Sequence, residues 1–154
     1  MIIKGTVKLL GNDIDTDLIA PGPLMGKGEE RFLQHLSNVF ALRESQVIVA
    51  GRNFGCGSSR EQAPAILKRS GIGCIVAKSF GRIFFRNSIN IGLPVLICKK
   101  AADVLSEGDE IEVDLVEGTV TDANRGEVIP GEKLPDFLLE VLEAGGIIAQ
   151  LKRE

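Results

Sequence analysis

The apolar positions of this chain change period several times, and each change marks an element. Ile2–Leu10 alternates partly and is β-branched at intervals, which predicts an opening strand, and Gly11-Asn12-Asp13 supplies a turn after it. Arg31–Phe40 switches to 3–4 spacing, with Phe32, Leu33, Leu36, Val39 and Phe40 on one side, and predicts a helix. Val47-Ile48-Val49-Ala50 is an unbroken apolar run with the length and branching of a buried strand. A helix over Ala63–Arg69 follows, with a basic last turn and Gly71 as its stop. Pro64 has no N–H to give, so regular helix is expected to begin only near Arg60 or Glu61. Gly73–Ala77 reads as a second buried strand. Ser79 is placed to cap a helix from Phe80 to Asn90, with Phe80, Ile83 and Phe84 as its buried stripe and Arg82 and Arg86 together on another face. Gly92-Leu93-Pro94 breaks that helix, and Val95–Cys98 gives a third apolar strand.

Strand, helix, strand, helix, strand implies parallel pairing through crossover connections. The final third differs. Ile111–Leu115, Gly118–Thr121 and Glu127–Ile129 alternate between apolar and polar over short spans separated by Gly/Asn/Asp turns, the pattern of an antiparallel meander. Leu134–Ala144 closes the series as a helix with Pro135 near its start and Gly145-Gly146 after its end. The expectation is one mixed α/β domain over residues 1–154, with parallel core strands and a small antiparallel meander.

Composition narrows the function classes. A net charge of −3 gives no bulk electrostatic pull toward nucleic acid, and seven Phe without Trp or Tyr argue against a base-stacking surface. No apolar run nears the roughly 20 residues that span a bilayer, and no signal-peptide pattern opens the chain, so a cytoplasmic protein without membrane contact is expected. Cys56, Cys74 and Cys98 are odd in number and widely spaced, which suits neither a disulfide framework nor a metal site. Cys74 and Cys98 lie in apolar runs and read as small buried hydrophobes, while Cys56 lies in a glycine turn. An iron–sulfur cluster held by this chain alone is not expected, because a cluster needs several thiolates close together.

The chemistry concentrates in Asn53-Phe54-Gly55-Cys56-Gly57-Ser58-Ser59-Arg60-Glu61-Gln62, between a buried strand and a helix. Gly55 and Gly57 let the backbone approach a ligand, free N–H groups at a helix start attract anions, and Arg60 presents a planar fork suited to a carboxylate. The stretch reads as a site for a small carboxylate beside a serine hydroxyl. Taken alone it reads more readily as a turn with an N-cap and a surface Arg60–Glu61 pair. The acidic run Asn12–Asp17 reads as a solvated loop and lacks the glycine and distal glutamate of a calcium loop. Ala20–Glu29, with two prolines and three glycines, predicts an irregular loop. His35, the single histidine, reads as a surface or packing residue. A serine hydrolase would have to use it and would want a G-x-S-x-G elbow, which is absent. A nucleotide-binding module is disfavoured: Gly55-x-Gly57-x-x-Arg60 lacks the third glycine of a dinucleotide fingerprint, and no P-loop exists.

Gly57-Ser58-Ser59-Arg60-Glu61, followed by Ala77-Lys78-Ser79-Phe80-Gly81-Arg82-Ile83 and Asn87, resembles the swivel domain of the aconitase superfamily. The match is to its separate small subunits of the 3-isopropylmalate dehydratase and homoaconitase type, and it runs from Gly5 to Gly146. The resemblance implies the layered β/β/α swivel fold and a hydro-lyase that works only with a large subunit, which carries a [4Fe–4S] cluster. It implies Ser58 as the base, acting as an alkoxide, with Arg60 stabilising it or binding the substrate carboxylate, and Ser59 and Gly57 at the substrate. It implies that the Ala20–Glu29 loop reads the variable group of a malate-type hydroxy-acid through Leu24, Met25 and Lys27. The loop has no arginine between Pro21 and Glu30, which favours an apolar substituent, as in 2-isopropylmalate, over an extra carboxylate. Homoaconitate, citraconate and dimethylmalate chemistries are the alternatives. Thr16 and Asp17, from an early family signature bordering the cleft, and Lys78 and Arg82 are implied as supporting residues. A degenerate relative serving only as an interaction domain is a further alternative, against which the intact Ser58, Ser59 and Arg60 stand.

Overall fold

The computed structural model describes residues 1–58 and 60–153. One seven-stranded sheet organises it, in the order β4-β3-β2-β1-β5-β6-β7. β1 (Ile2–Leu9), β2 (Gln46–Ala50), β3 (Cys74–Ala77) and β4 (Val95–Ile97) run parallel, each pairing with the next. β5 (Glu110–Asp114) pairs antiparallel with the other edge of β1, and β6 (Thr119–Asp122) and β7 (Val128–Pro130) extend it as a meander. The mixed α/β swivel architecture expected from the sequence is present, with β1 as the seam between the parallel and antiparallel parts.

The residues explain the seam. Val47–Ala50 and all of β3 are buried, so both faces of these strands are covered and every position must be apolar. In β5 and β6 buried Ile111, Val113 and Val120 alternate with half-buried polar positions, as one core-facing side requires. Fully burying each Val, Leu or Ile of the core contributes about 1.5–3 kcal/mol.

The helices are α1 (Thr16–Ile19), α2 (Glu29–Phe40), α3 (Gln62–Arg69), α4 (Arg82–Asn90), α5 (Ala101–Val104), α6 (Asp136–Ala144) and α7 (Ile147–Lys152). Three sequence expectations need correction. α1 lies where a loop was expected, and Gly22–Leu24 forms a 3-10 turn inside the loop that was expected to be irregular. Ser79 does not cap α4: its Oγ accepts from the Asn53 N–H at 2.8 Å, and Phe80 pairs as an isolated bridge with Phe54, so α4 starts two residues later with Gly81 as its cap. The delayed start also changes the buried stripe, for Phe84 is buried but Ile83 is 51% exposed. Pro64 falls in the first turn of α3, where its missing N–H would have had no helical partner.

Candidate active site

The site stands at the carboxyl ends of the parallel strands, where open α/β sheets place ligands. Three segments leaving β1, β2 and β3 are stitched together there. The Gly51 N–H donates to the Gly11 carbonyl (3.1 Å), Gly55 N–H to Ile14 (2.8 Å) and Thr16 N–H to Cys56 (2.8 Å). From the third segment, Phe54 N–H donates to the Ser79 carbonyl (3.0 Å) and Gly81 N–H to Phe54 (2.8 Å). Buried Phe54 lies edge-on to Phe80 and Phe84 beneath the turn. Gly55, at φ 81°, is required twice over: its backbone is left-handed, and a Cβ there would enter the Phe84 ring. Gly57, at φ 93°, has its missing Cβ position 2.5 Å from the Asp15 carboxylate.

That tight turn delivers Ser58 into a four-residue cluster. Thr16 is buried on α1 and its hydroxyl donates to the Ser58 carbonyl at 2.8 Å, fixing the backbone of the serine. The Ser58 Oγ lies 3.2 Å from Thr16 Oγ1 and 3.1 Å from Asp17 Oδ1. Since the Thr16 proton is committed to the carbonyl, Ser58 donates and the threonine or the aspartate accepts. Arg60 Nε donates to both Asp17 Oδ1 (2.7 Å) and Ser58 Oγ (3.1 Å). Asp17 is itself held by α1, whose cap Asp15 accepts the Asp17 N–H at 2.7 Å. His35 Nε2 meets the Leu18 carbonyl at 2.6 Å, so that nitrogen carries the proton and pins α1 to α2.

A cavity of about 380 Å³ opens beside Ser58, walled by Gly55–Ser58 on one side and Gly81–Ile83 on the other. The start of α4 faces it with no side-chain cap and with Arg82 at the first helical position, so helix dipole and guanidinium both favour an anion there. Cys56 lines the same cavity. Partial burial, with the Asp15 and Asp13 carboxylates nearby, raises its thiol above the ordinary cysteine value, which favours the protonated form. Cys74 and Cys98 are buried within the fold, and burial pushes both thiols up as well. Among the described residues no group of three or more His, Cys, Asp or Glu side chains could hold a metal ion.

The remaining candidates are dispersed. Leu24 is half-buried against the core, and Met25 is 39% exposed. Lys27 lines a separate depression of about 630 Å³ with the start of α2. Lys78 is held by Asp103 at 2.8 Å, outside the serine cluster. Arg86 is exposed and does not line the Ser58 cavity. Ser59 lies outside the described residues. The sequence ranked Thr16 and Asp17 as supporting residues bordering the cleft; the fold puts both within hydrogen-bond reach of Ser58. Gly22, whose open face meets the Arg60 guanidinium, carried no signal beyond its place in a Pro-Gly-Pro run.

The sheet order and a serine–arginine turn beside an open helix start define a swivel-type domain of the aconitase superfamily. The family model described as the aconitase C-terminal domain matches residues 27–100. The isopropylmalate/citramalate isomerase small subunit of Methanocaldococcus jannaschii is 45% identical over 99% of this chain and 95% of its own length. The 3-isopropylmalate dehydratase small subunit 1 of Methanopyrus kandleri is 46% identical over 99% and 94%. The 2,3-dimethylmalate dehydratase small subunit of Eubacterium barkeri is 41% identical over 96% and 95%. A crystal structure of a 3-isopropylmalate dehydratase from M. jannaschii superposes with a TM-score of 0.88 at 41% identity, covering 99% of this chain and 95% of that one. The chain belongs to the 3-isopropylmalate dehydratase small-subunit family. No helix among its described residues is long and apolar enough to cross a membrane.

Proposed function

We propose that this chain is the base-bearing half of a two-subunit hydro-lyase that interconverts 2- and 3-isopropylmalate, as in leucine biosynthesis. The observation that carries this reading is the Ser58 hydroxyl held between a guanidinium and a carboxylate at the mouth of an anion-favouring cavity. Ser58 takes the proton next to a substrate carboxylate. Its own proton has an acceptor in Asp17 Oδ1, 3.1 Å away, and Arg60 Nε at 3.1 Å offsets the charge left on Oγ. Arg82 and the start of α4 hold the carboxylate that gains charge as the proton leaves. Gly57, which lines the same cavity, completes the carboxylate cradle.

Expelling the hydroxyl requires a Lewis acid, and among the described residues no group of three or more His, Cys, Asp or Glu side chains could hold one. Family membership supports placing the [4Fe–4S] cluster on a large partner subunit, which meets this chain at the mouth of the Ser58 cavity. An apolar substituent suits the substrate loop, since Leu24 and Met25 stand there and the sole cation, Lys27, sits in a different depression. The absence of an arginine between Pro21 and Glu30 disfavours a homoaconitate-type substrate with its extra carboxylate.

The test is anaerobic co-purification with the large subunit, followed by kcat/KM on isopropylmalate, citramalate, dimethylmalate and a homoaconitate-type tricarboxylate. The expected result is a complex with iron–sulfur absorption and the highest kcat/KM on isopropylmalate. A chain that stays alone and colourless with the large subunit supplied overturns the two-subunit reading. Preference for the tricarboxylate overturns the substrate assignment.

A further inference from the structure

We infer that Gly22 is a positioning residue for Arg60, linking the substrate loop to the serine base; this rests on the reading of Ser58 and Arg60 given above. Gly22 opens the 3-10 turn Gly22–Leu24, and its φ lies outside the left-handed region, so its backbone does not call for glycine. What calls for it is space. The three atoms nearest to a Cβ at this position all belong to the Arg60 guanidinium, with Nη2 at 3.2 Å, Nη1 at 3.6 Å and Cζ at 3.8 Å. The Nη edge of the fork thus abuts the bare face of residue 22 while its Nε edge reaches Asp17 and Ser58. Among the described residues no hydrogen bond uses the Nη atoms, so the close approach of residue 22 is the contact seen at that edge of the fork.

A methyl group at 3.2 Å pushes the guanidinium outward by a few tenths of an ångström. Nε belongs to the same rigid planar group, so the displacement carries it off the position from which it donates to both Asp17 and Ser58. Less of its charge then offsets the alkoxide, and the base becomes harder to deprotonate. The loop that meets the variable group of the substrate and the residue that tunes the base are therefore in mechanical contact at this one point. A larger side chain would act in the same direction and further.

The test is a double-mutant cycle in the reconstituted two-subunit enzyme, with Gly22→Ala, Gly22→Val, Arg60→Lys and Gly22→Ala/Arg60→Lys. Displacements of this size lower kcat about fivefold to tenfold for Gly22→Ala and further for Gly22→Val. The ascending limb of the kcat–pH profile moves to higher pH. A lysine carries no atoms over residue 22, so adding Gly22→Ala to Arg60→Lys changes kcat less than about twofold. Equal losses in both arginine and lysine backgrounds overturn the inference, as does Gly22→Ala with an unmoved kcat and pH limb. Ser58→Ala, measured alongside, reports separately on the base itself. If it retains kcat the base reading fails, whatever the cycle shows.

Discussion

The parallel and antiparallel parts of the sheet bury their residues by different rules, and only one of them carries chemistry. Val47–Ala50 of β2 and all of β3 are buried and leave no outward position for a polar side chain, so function is displaced to their carboxyl ends. There the backbone of three consecutive crossover segments is cross-linked by hydrogen bonds, and the reacting groups come from two of the segments: Thr16 and Asp17 after β1, Ser58 and Arg60 after β2. In the meander, alternation leaves polar residues on β5 and β6, yet the most buried of them is structural. Asp122, 1% exposed, accepts the Asn124 N–H at 2.9 Å and the Arg125 N–H at 3.3 Å, and so shapes the turn from β6 to β7. A buried polar group marks the catalytic region in one half and a hairpin turn in the other.

The contrast can be broken or sharpened by substitution. Gly55→Ala forces a Cβ into Phe84 at a left-handed backbone position and is expected to cost about 3 kcal/mol of stability, with activity lost as the turn shifts. Thermal unfolding read beside kcat checks it. Asp122→Ala leaves the turn amides without their acceptor and costs about 2 kcal/mol by denaturant unfolding. Because it lies in the other half, kcat in the assembled enzyme stays within about twofold. A tenfold loss of kcat there would erase the division between the halves. Thr16→Val removes the hydroxyl that fixes the Ser58 carbonyl; it costs about 1 kcal/mol of stability and lowers kcat about tenfold, with KM little changed. The smallest effect concerns Cys56. A thiol raised by burial and two carboxylates is still gaining thiolate above about pH 9, so its alkylation rate keeps climbing there. A rate that levels off below about pH 8.5 would contradict that electrostatic picture.

The same division decides how much could be read in advance. The parallel strands and the Ser58–Arg60 turn were legible because burial on both faces leaves continuous apolar runs and the turn has a distinctive glycine spacing. The meander was legible from alternation. α1 was not, since four residues give no periodicity, and its cap Asp15 is hidden in an acidic run. The start of α4 was misplaced because Ser79 looks like a cap in sequence, whereas in space the Asn53 amide claims its oxygen. Thr16 and Asp17 were implied only as residues bordering the cleft, because their contact with Ser58 spans more than forty positions and depends on the pairing of the Asp15 and Cys56 segments. Gly22 was invisible for the same reason: what it accommodates arrives from another segment.

The central claim is that Ser58 moves the substrate proton, and proton exchange tests it most directly. The assembled wild-type and Ser58→Ala enzymes are incubated with isopropylmalate in deuterium oxide, and deuterium entering the carbon next to the carboxylate is followed by NMR. The wild type should exchange readily. Ser58→Ala should bind substrate with similar affinity and exchange slower by about 10²–10⁴-fold, the usual contribution of a positioned general base. Exchange at the wild-type rate in Ser58→Ala would contradict the assignment and move the base elsewhere in the complex.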